Sequence, residues 1–236
     1  MIDTMYGIQV YEGMRHGQKA LFKFGSNSVV GTSEETIWDQ GGIYAYPASA
    51  SVMKVSSDDD GDTSTVVVSG LDQDYNEASE TITLTGQTAV NTTTSFIRVF
   101  RARVTANAPT GNIYIGTGTV TSGVPANKYA KITAGENQTL MAVWTVPAGY
   151  TAYISQGTIS SGTENANKYI TAKLKVRPFG EVLQTKAVVT LSNTFIPFDF
   201  GVPVQVPEKS DIEARAFSSS GDHHVAVTFS AVYKKN

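Results

Sequence analysis

Valine outnumbers leucine 25 to 7 in this chain, and threonine, at 28, is its most frequent residue. β-Branched side chains are stiff at χ1, crowd the preceding turn of a helix and pack well on a pleated surface. A chain that spends its apolar content this way folds into strands. Charged residues make up only 17% against 41% hydrophobic, and hydroxyls, with 21 serines beside the threonines, fill the difference. At 236 residues the chain is long enough to bury a core without staples, as one domain or one domain with an appended segment.

From residue 50 the sequence reads as a series of short strands separated by Gly, Pro, Asn and Ser. Ser51–Val55 and Thr65–Val68 flank the acidic turn Asp58-Asp59-Asp60-Gly61-Asp62; Thr81–Leu84 and Phe96–Val104 follow. Ile170–Arg177 alternates strictly, with Lys173, Lys175 and Arg177 on one face and Ile170, Ala172, Leu174 and Val176 on the other. Asp211–Ala216 alternates in the same way. Both are half-exposed strands of an antiparallel sheet. Thr139–Trp144 is apolar on both faces, as a central strand or a subunit interface requires. About ten strands at this spacing predict an all-β chain, an antiparallel β-sandwich of jelly-roll type, over residues 51–236. No helix of convincing length is expected.

Residues 1–50 differ. They are rich in Gly, aromatic and polar residues and lack a clean period-2 run, so they read as an extended N-terminal arm that gains order by lying on something else. Trp38, Tyr44 and Tyr46 stand in this arm beside Gly41, Gly42 and Pro47. They are either buckles that hold the arm to its own sandwich or anchors in a neighbouring subunit, and they are the candidate partner-binding residues.

Composition removes several classes of function. With no cysteine there is no disulfide scaffold, zinc-thiolate site or thiol nucleophile, which fits synthesis in a reducing cytoplasm. A net charge of −3 gives no electropositive face for nucleic acid. Met1-Ile2-Asp3-Thr4 lacks the charged and apolar regions of a cleaved export signal, and no apolar run approaches a membrane helix.

Catalytic and metal chemistry finds little support. His223 and His224 are adjacent on a strand and point to opposite faces; with His16 remote, no shared metal is expected. The Asp58–Asp62 turn resembles a calcium loop, but Ser69 stands where such a loop has its bidentate glutamate, so it reads as a hairpin turn. There is no Gly-x-Ser-x-Gly elbow, and Gly116-Thr117-Gly118-Thr119 is too short for a dinucleotide fingerprint. Glu34-Glu35 reads as a solvated loop rather than a glycosidase pair. The basic stripe Lys173, Lys175, Arg177 reads as a solvated face, with an acidic partner strand as the other reading. No enzyme, metal or cofactor is expected.

Longer segments nevertheless carry a resemblance. Lys23-Phe24-Gly25 followed by Gly31–Gly42, Arg98–Ala102 with Gly111–Gly118, Gln138–Ala142 with Thr145–Tyr153, Val176–Gly180 and Lys209–Glu213 together resemble a family of virion structural proteins of tailed bacteriophages, many of them marine. The resemblance runs over nearly the whole chain and brings no catalytic residues. It implies a virion component made in the host cytoplasm and placed on the capsid surface. That component would be a decoration or cement protein that binds the major capsid protein and is itself a homo-oligomer, a trimer by preference. The alternatives it leaves open are a glycan-binding host-recognition module of a head fibre or tail, and a neck or tail connector.

Overall fold

The computed structural model describes residues 4–162 and 168–236. Among these, the elements in chain order are α1 (Thr4–Tyr11), β1 (Gln18–Val30), β2 (Glu35–Thr36), β3 (Ser51–Ser57), β4 (Thr65–Asp72), β5 (Glu77–Thr83), β6 (Val90–Ala106), β7 (Ile113–Thr121) and β8 (Val124–Ile132). They continue with β9 (Val143–Thr145), β10 (Tyr150–Gly162), β11 (Ile170–Arg177), β12 (Gln184–Leu191), β13 (Phe195–Val206), β14 (Asp211–Ser218) and β15 (His223–Lys235). The pairings between them are antiparallel, and the all-β expectation holds.

The chain divides into two compact units, Met1–Ile43 with Ala142–Asn236, and Tyr44–Met141. In the first, the sheets run β1-β15-β10-β13 and β12-β11-β14-β2, and β9 also pairs β14. If β2 and β9 are taken as two pieces of one strand position, the unit has eight positions in chain order. The sheets then read first-eighth-third-sixth and second-seventh-fourth-fifth, which is the jelly-roll order. Alternation sets the inward faces as the sequence predicts. In β11 the residues Ile170, Ala172, Leu174 and Val176 are buried, as are Ile212, Ala214 and Ala216 in β14. But β14 is not half-exposed as expected: Asp211 and Glu213 on its other face are buried as well, because ion pairs and β2 and β9 cover them. Gly25 sits where β1 crosses the Ile37 and Ala142 backbones, which hydrogen-bond to each other at 2.9 Å. A Cβ on Gly25 would lie 2.3 Å from the Ala142 nitrogen and 2.4 Å from the Ile37 carbonyl oxygen, so only glycine fits.

The expected arm over residues 1–50 and the expected boundary at 50/51 are both corrected by this arrangement. Residues 4–11 form a short helix that ends at Gly13, whose φ of 74° lets the chain turn out of it. Residues 18–30 are a full edge strand of the sandwich, paired with β15 from Gln18↔Lys234 to Val30↔His223. The strand is not legible as one because its polarity is inverted: Lys23 and Asn27 are buried, whereas Phe22 is 54% exposed. β13 is concealed for another reason. Pro197 and Pro203 argue against a central strand, but β13 lies at a sheet edge, where proline is tolerated.

The second unit is a six-stranded sheet, β5-β4-β6-β3-β7-β8. β6 shifts register between Val104 and Ala106, between Val99 and Arg101, and between Phe96 and Arg98, and it also approaches β8, with which it is not paired. The sheet is therefore curled around Met53, Leu71, Phe96, Ile113, Ile115 and Ile132, all of which are fully buried. Within Thr139–Trp144, Met141 through Trp144 are buried, and here the chain leaves the second unit and re-enters the first as β9.

Candidate functional site

The three aromatic residues singled out in the sequence are used inside this chain. In the first unit, Trp38 is only 3% exposed, and its indole N–H donates to the Gly42 carbonyl at 3.1 Å, closing the loop that follows β2. In the second unit, the buried Tyr44 hydroxyl donates to the Val99 carbonyl at 3.0 Å, and its ring meets Tyr46 edge-on at 4.8 Å. Tyr46 lies under the guanidinium of buried Arg98 at 5.2 Å, with Tyr75 also beside that guanidinium at 5.6 Å. Arg98 Nη1 donates to the Pro47 and Ile97 carbonyls. Trp38 and Tyr44 are buried and Tyr46 is half-buried, each engaged within its own unit.

The basic stripe finds its acidic partner within its own unit. Glu34, just before β2, receives Lys173 Nζ at 2.6 Å, Lys175 Nζ at 3.0 Å and Arg215 Nη1 at 3.3 Å. Arg215 also donates to buried Glu213, which accepts the Thr36 hydroxyl, and Arg177 pairs with buried Asp211. Partial burial pushes the Glu34 carboxyl upward, but hydrogen bonds from Lys173 and Lys175 and the attraction of both ammonium groups outweigh it and hold the carboxyl at about 2. Glu35 faces another way and accepts from the Gly31 and Gly42 amides and from Asn27 Nδ2. The pair read as a solvated loop is thus a double staple. Nothing in local periodicity could reveal it, because Glu34 and Lys173 lie 139 positions apart.

The acidic turn is also internally engaged. Asp62 accepts from the Ser57 hydroxyl and from the Thr110 and Gly111 amides; burial pushes its carboxyl up, and these three hydrogen bonds pull it below the usual range. Asp58 accepts the Asn112 amide at 2.7 Å, and Asp59 accepts the Gly61 amide at 2.8 Å. Among the described residues no group of three or more His, Asp or Glu side chains converges as a metal site would require. The two adjacent histidines do face opposite ways. His223 is buried and meets the Ser220 carbonyl, whereas exposed His224 Nε2 lies 2.6 Å from Ser26 Oγ. That hydroxyl–imidazole pair, 198 positions apart in sequence, could pass a proton; Ser26 is the ring's hydrogen-bond partner among the described residues.

Two features of the jelly-roll unit remain. The first is an apolar cavity of about 180 Å³ between its sheets, lined by Leu174, Val189, Phe198, Phe200, Val227 and Phe229 and lying beside the edge strands β12 and β13. Large exposed apolar side chains gather on that part of the chain: Phe179, Val182, Val188, Phe195 and Val202, the last 86% exposed. The second is the outward face of the sheet β1-β15-β10-β13. Register places Phe22, Ser230, Gln156 and Asp199 in one row across it, and Phe24, Thr228, Thr158 and Pro197 in the next. A third row holds Ser26, Ala226, Ser160 and Phe195. The sequence pattern does not expose this face, because two of its four strands, β1 and β13, do not read as strands.

No family model matches the chain, and no curated protein matches it. Among solved structures it is similar to that of the infectious bursal disease virus Gt strain, with 12% identity, a TM-score of 0.23, and coverage of 93% of this chain and 77% of that one. It is also similar to the infectious bursal disease virus VP2 subviral particle, with 10% identity, a TM-score of 0.22, and coverage of 93% and 76%. Superpositions this loose assign neither fold nor function.

Proposed function

We propose that the chain is a non-enzymatic structural protein of a tailed-phage virion. In this reading it is a capsid decoration or cement protein that binds the major capsid protein and assembles as a homotrimer on the capsid surface. The sequence resemblance that spans nearly the whole chain supports the virion setting. The observation that carries the assembly role is the concentration of exposed apolar side chains between Phe179 and Val202, beside the edge strands of the sandwich. Five large apolar side chains exposed within this one stretch of chain are candidates for a protein–protein contact. A shell under internal pressure gains from a second protein repeated at many equivalent sites, each burying modest area.

The test is copy number in purified particles, measured by quantitative mass spectrometry against the major capsid protein. Decoration of a symmetric shell requires on the order of hundreds of copies. A copy number nearer a ring of six or twelve would move the protein to the neck or tail. Absence from particles would overturn the reading.

A further inference from the structure

We propose that the outward face of the sheet β1-β15-β10-β13 is a carbohydrate-binding trough, a function beyond the capsid reading and independent of it. The inverted polarity of β1 is the starting point. Phe22 and Phe24 face outward, their rings 6.0 Å apart, while Lys23 between them is buried. Burial of apolar surface cannot explain that choice, since the phenylalanines occupy the solvent side of the strand.

The opposite rim repeats the pattern with Pro197 and Phe195 on β13. Between the rims lie β15 and β10, whose outward residues in these rows are Ser230, Thr228, Ala226, Gln156, Thr158 and Ser160, polar except for Ala226. With strands about 4.8 Å apart, the rims are separated by three steps, or about 14 Å. The floor is concave. A depression of about 420 Å³ spans Phe22, Gln156, Thr158, Asp199 and Thr228, and another of about 300 Å³ follows along the same strands between Ser160, Asn193, Thr194, Phe195 and His224.

The chemistry of this floor selects its ligand. None of the residues lining either depression is Lys or Arg, so a phosphate backbone has no cation to meet. An apolar helix would bury the Gln156 carboxamide and the Ser160 and Ser230 hydroxyls against a surface that offers them no hydrogen bonds. A saccharide satisfies both parts. Its hydroxyls pair with the amide, carboxylate and hydroxyl groups of the floor, and the apolar faces of its rings lie against the phenylalanines of the rims. The Thr158 and Thr228 hydroxyls, 2.7 Å apart, already hydrogen-bond to each other and can each accept or donate to a sugar hydroxyl.

The experiment is saturation-transfer NMR on the intact protein with maltohexaose, cellohexaose and chitohexaose as separate probes. It is repeated on Phe22→Ala and Gln156→Ala, both surface changes, with Val182→Ser as a control outside the trough. The expected result is transfer to the ring protons of at least one probe with the wild-type protein, reduced at least fivefold in both trough variants and unchanged in the control. Circular dichroism confirms that the variants are folded. Absence of transfer from all three probes at millimolar concentration overturns the proposal, as does transfer that neither trough variant reduces. Neither outcome bears on copy number in the virion, so the two readings stand or fall separately.

Discussion

Replacing Glu34 with Gln keeps the shape of the staple over β11 and β14 and removes its charge. In the wild-type fold Lys173, Lys175 and Arg215 converge on this one carboxylate. Holding this carboxyl at about 2 instead of the ordinary 4.5 is equivalent to about 3.4 kcal/mol if all of it were stability. The side chain is 23% exposed, and solvent screening of such pairs brings the expected loss to roughly 1–2 kcal/mol. Both tryptophans, Trp38 and Trp144, are buried in the jelly-roll unit, so tryptophan fluorescence during urea unfolding reports that unit specifically. Because the folded-state value lies below the unfolded one, the stabilisation is complete above about pH 4.5 and fades as the pH falls toward 2. Glu34→Gln should therefore shift the unfolding midpoint at pH 7 and converge with wild type near pH 2. A variant indistinguishable from wild type at pH 7, or a deficit that persists unchanged at pH 2, would refute the reasoning.

Three further outcomes follow from the same geometry. Gly25→Ala forces a methyl against two backbone atoms and should cost about 1–3 kcal/mol in the same fluorescence assay; a neutral result would mean that β1 crosses Ile37 and Ala142 with more room than it shows. Asp62→Ala removes the acceptors of both the Thr110 and Gly111 amides at a cost of about 1–3 kcal/mol, and hydrogen exchange should show both amides losing protection. Unchanged protection would contradict the role given to Asp62. Val188→Asp combined with Val202→Asp places charge on the exposed apolar surface, and light scattering should find a trimer for the wild type and a monomer for the double variant. A trimer that survives both changes would move the subunit contact elsewhere.

The second unit is hidden in the sequence for a definite reason. It enters the chain between β2 and β9, two pieces of one strand position that are two and three residues long, and such fragments carry no readable period. The Asp58–Asp62 segment is legible as a turn from its residues, but its stabilising partners Thr110, Gly111 and Asn112 lie about 50 positions downstream. The candidate trough is illegible for a comparable reason: aromatic residues on β1 and β13 look like ordinary core residues until register shows which face they occupy.

By itself the sequence determined the secondary-structure class, the polarity of β11, the apolar inward residues of β14 and the opposed directions of His223 and His224, because β-branched content and period-2 alternation act between near neighbours. Only the tertiary structure decided the strand order, the division into two units, the burial of Trp38 and Tyr44 and the pairing of Glu34 with its three cations. Each of these depends on contacts between residues tens to more than two hundred positions apart. Such contacts are selected by what remains unburied or unpaired after the local strands have formed, and no local pattern records that choice.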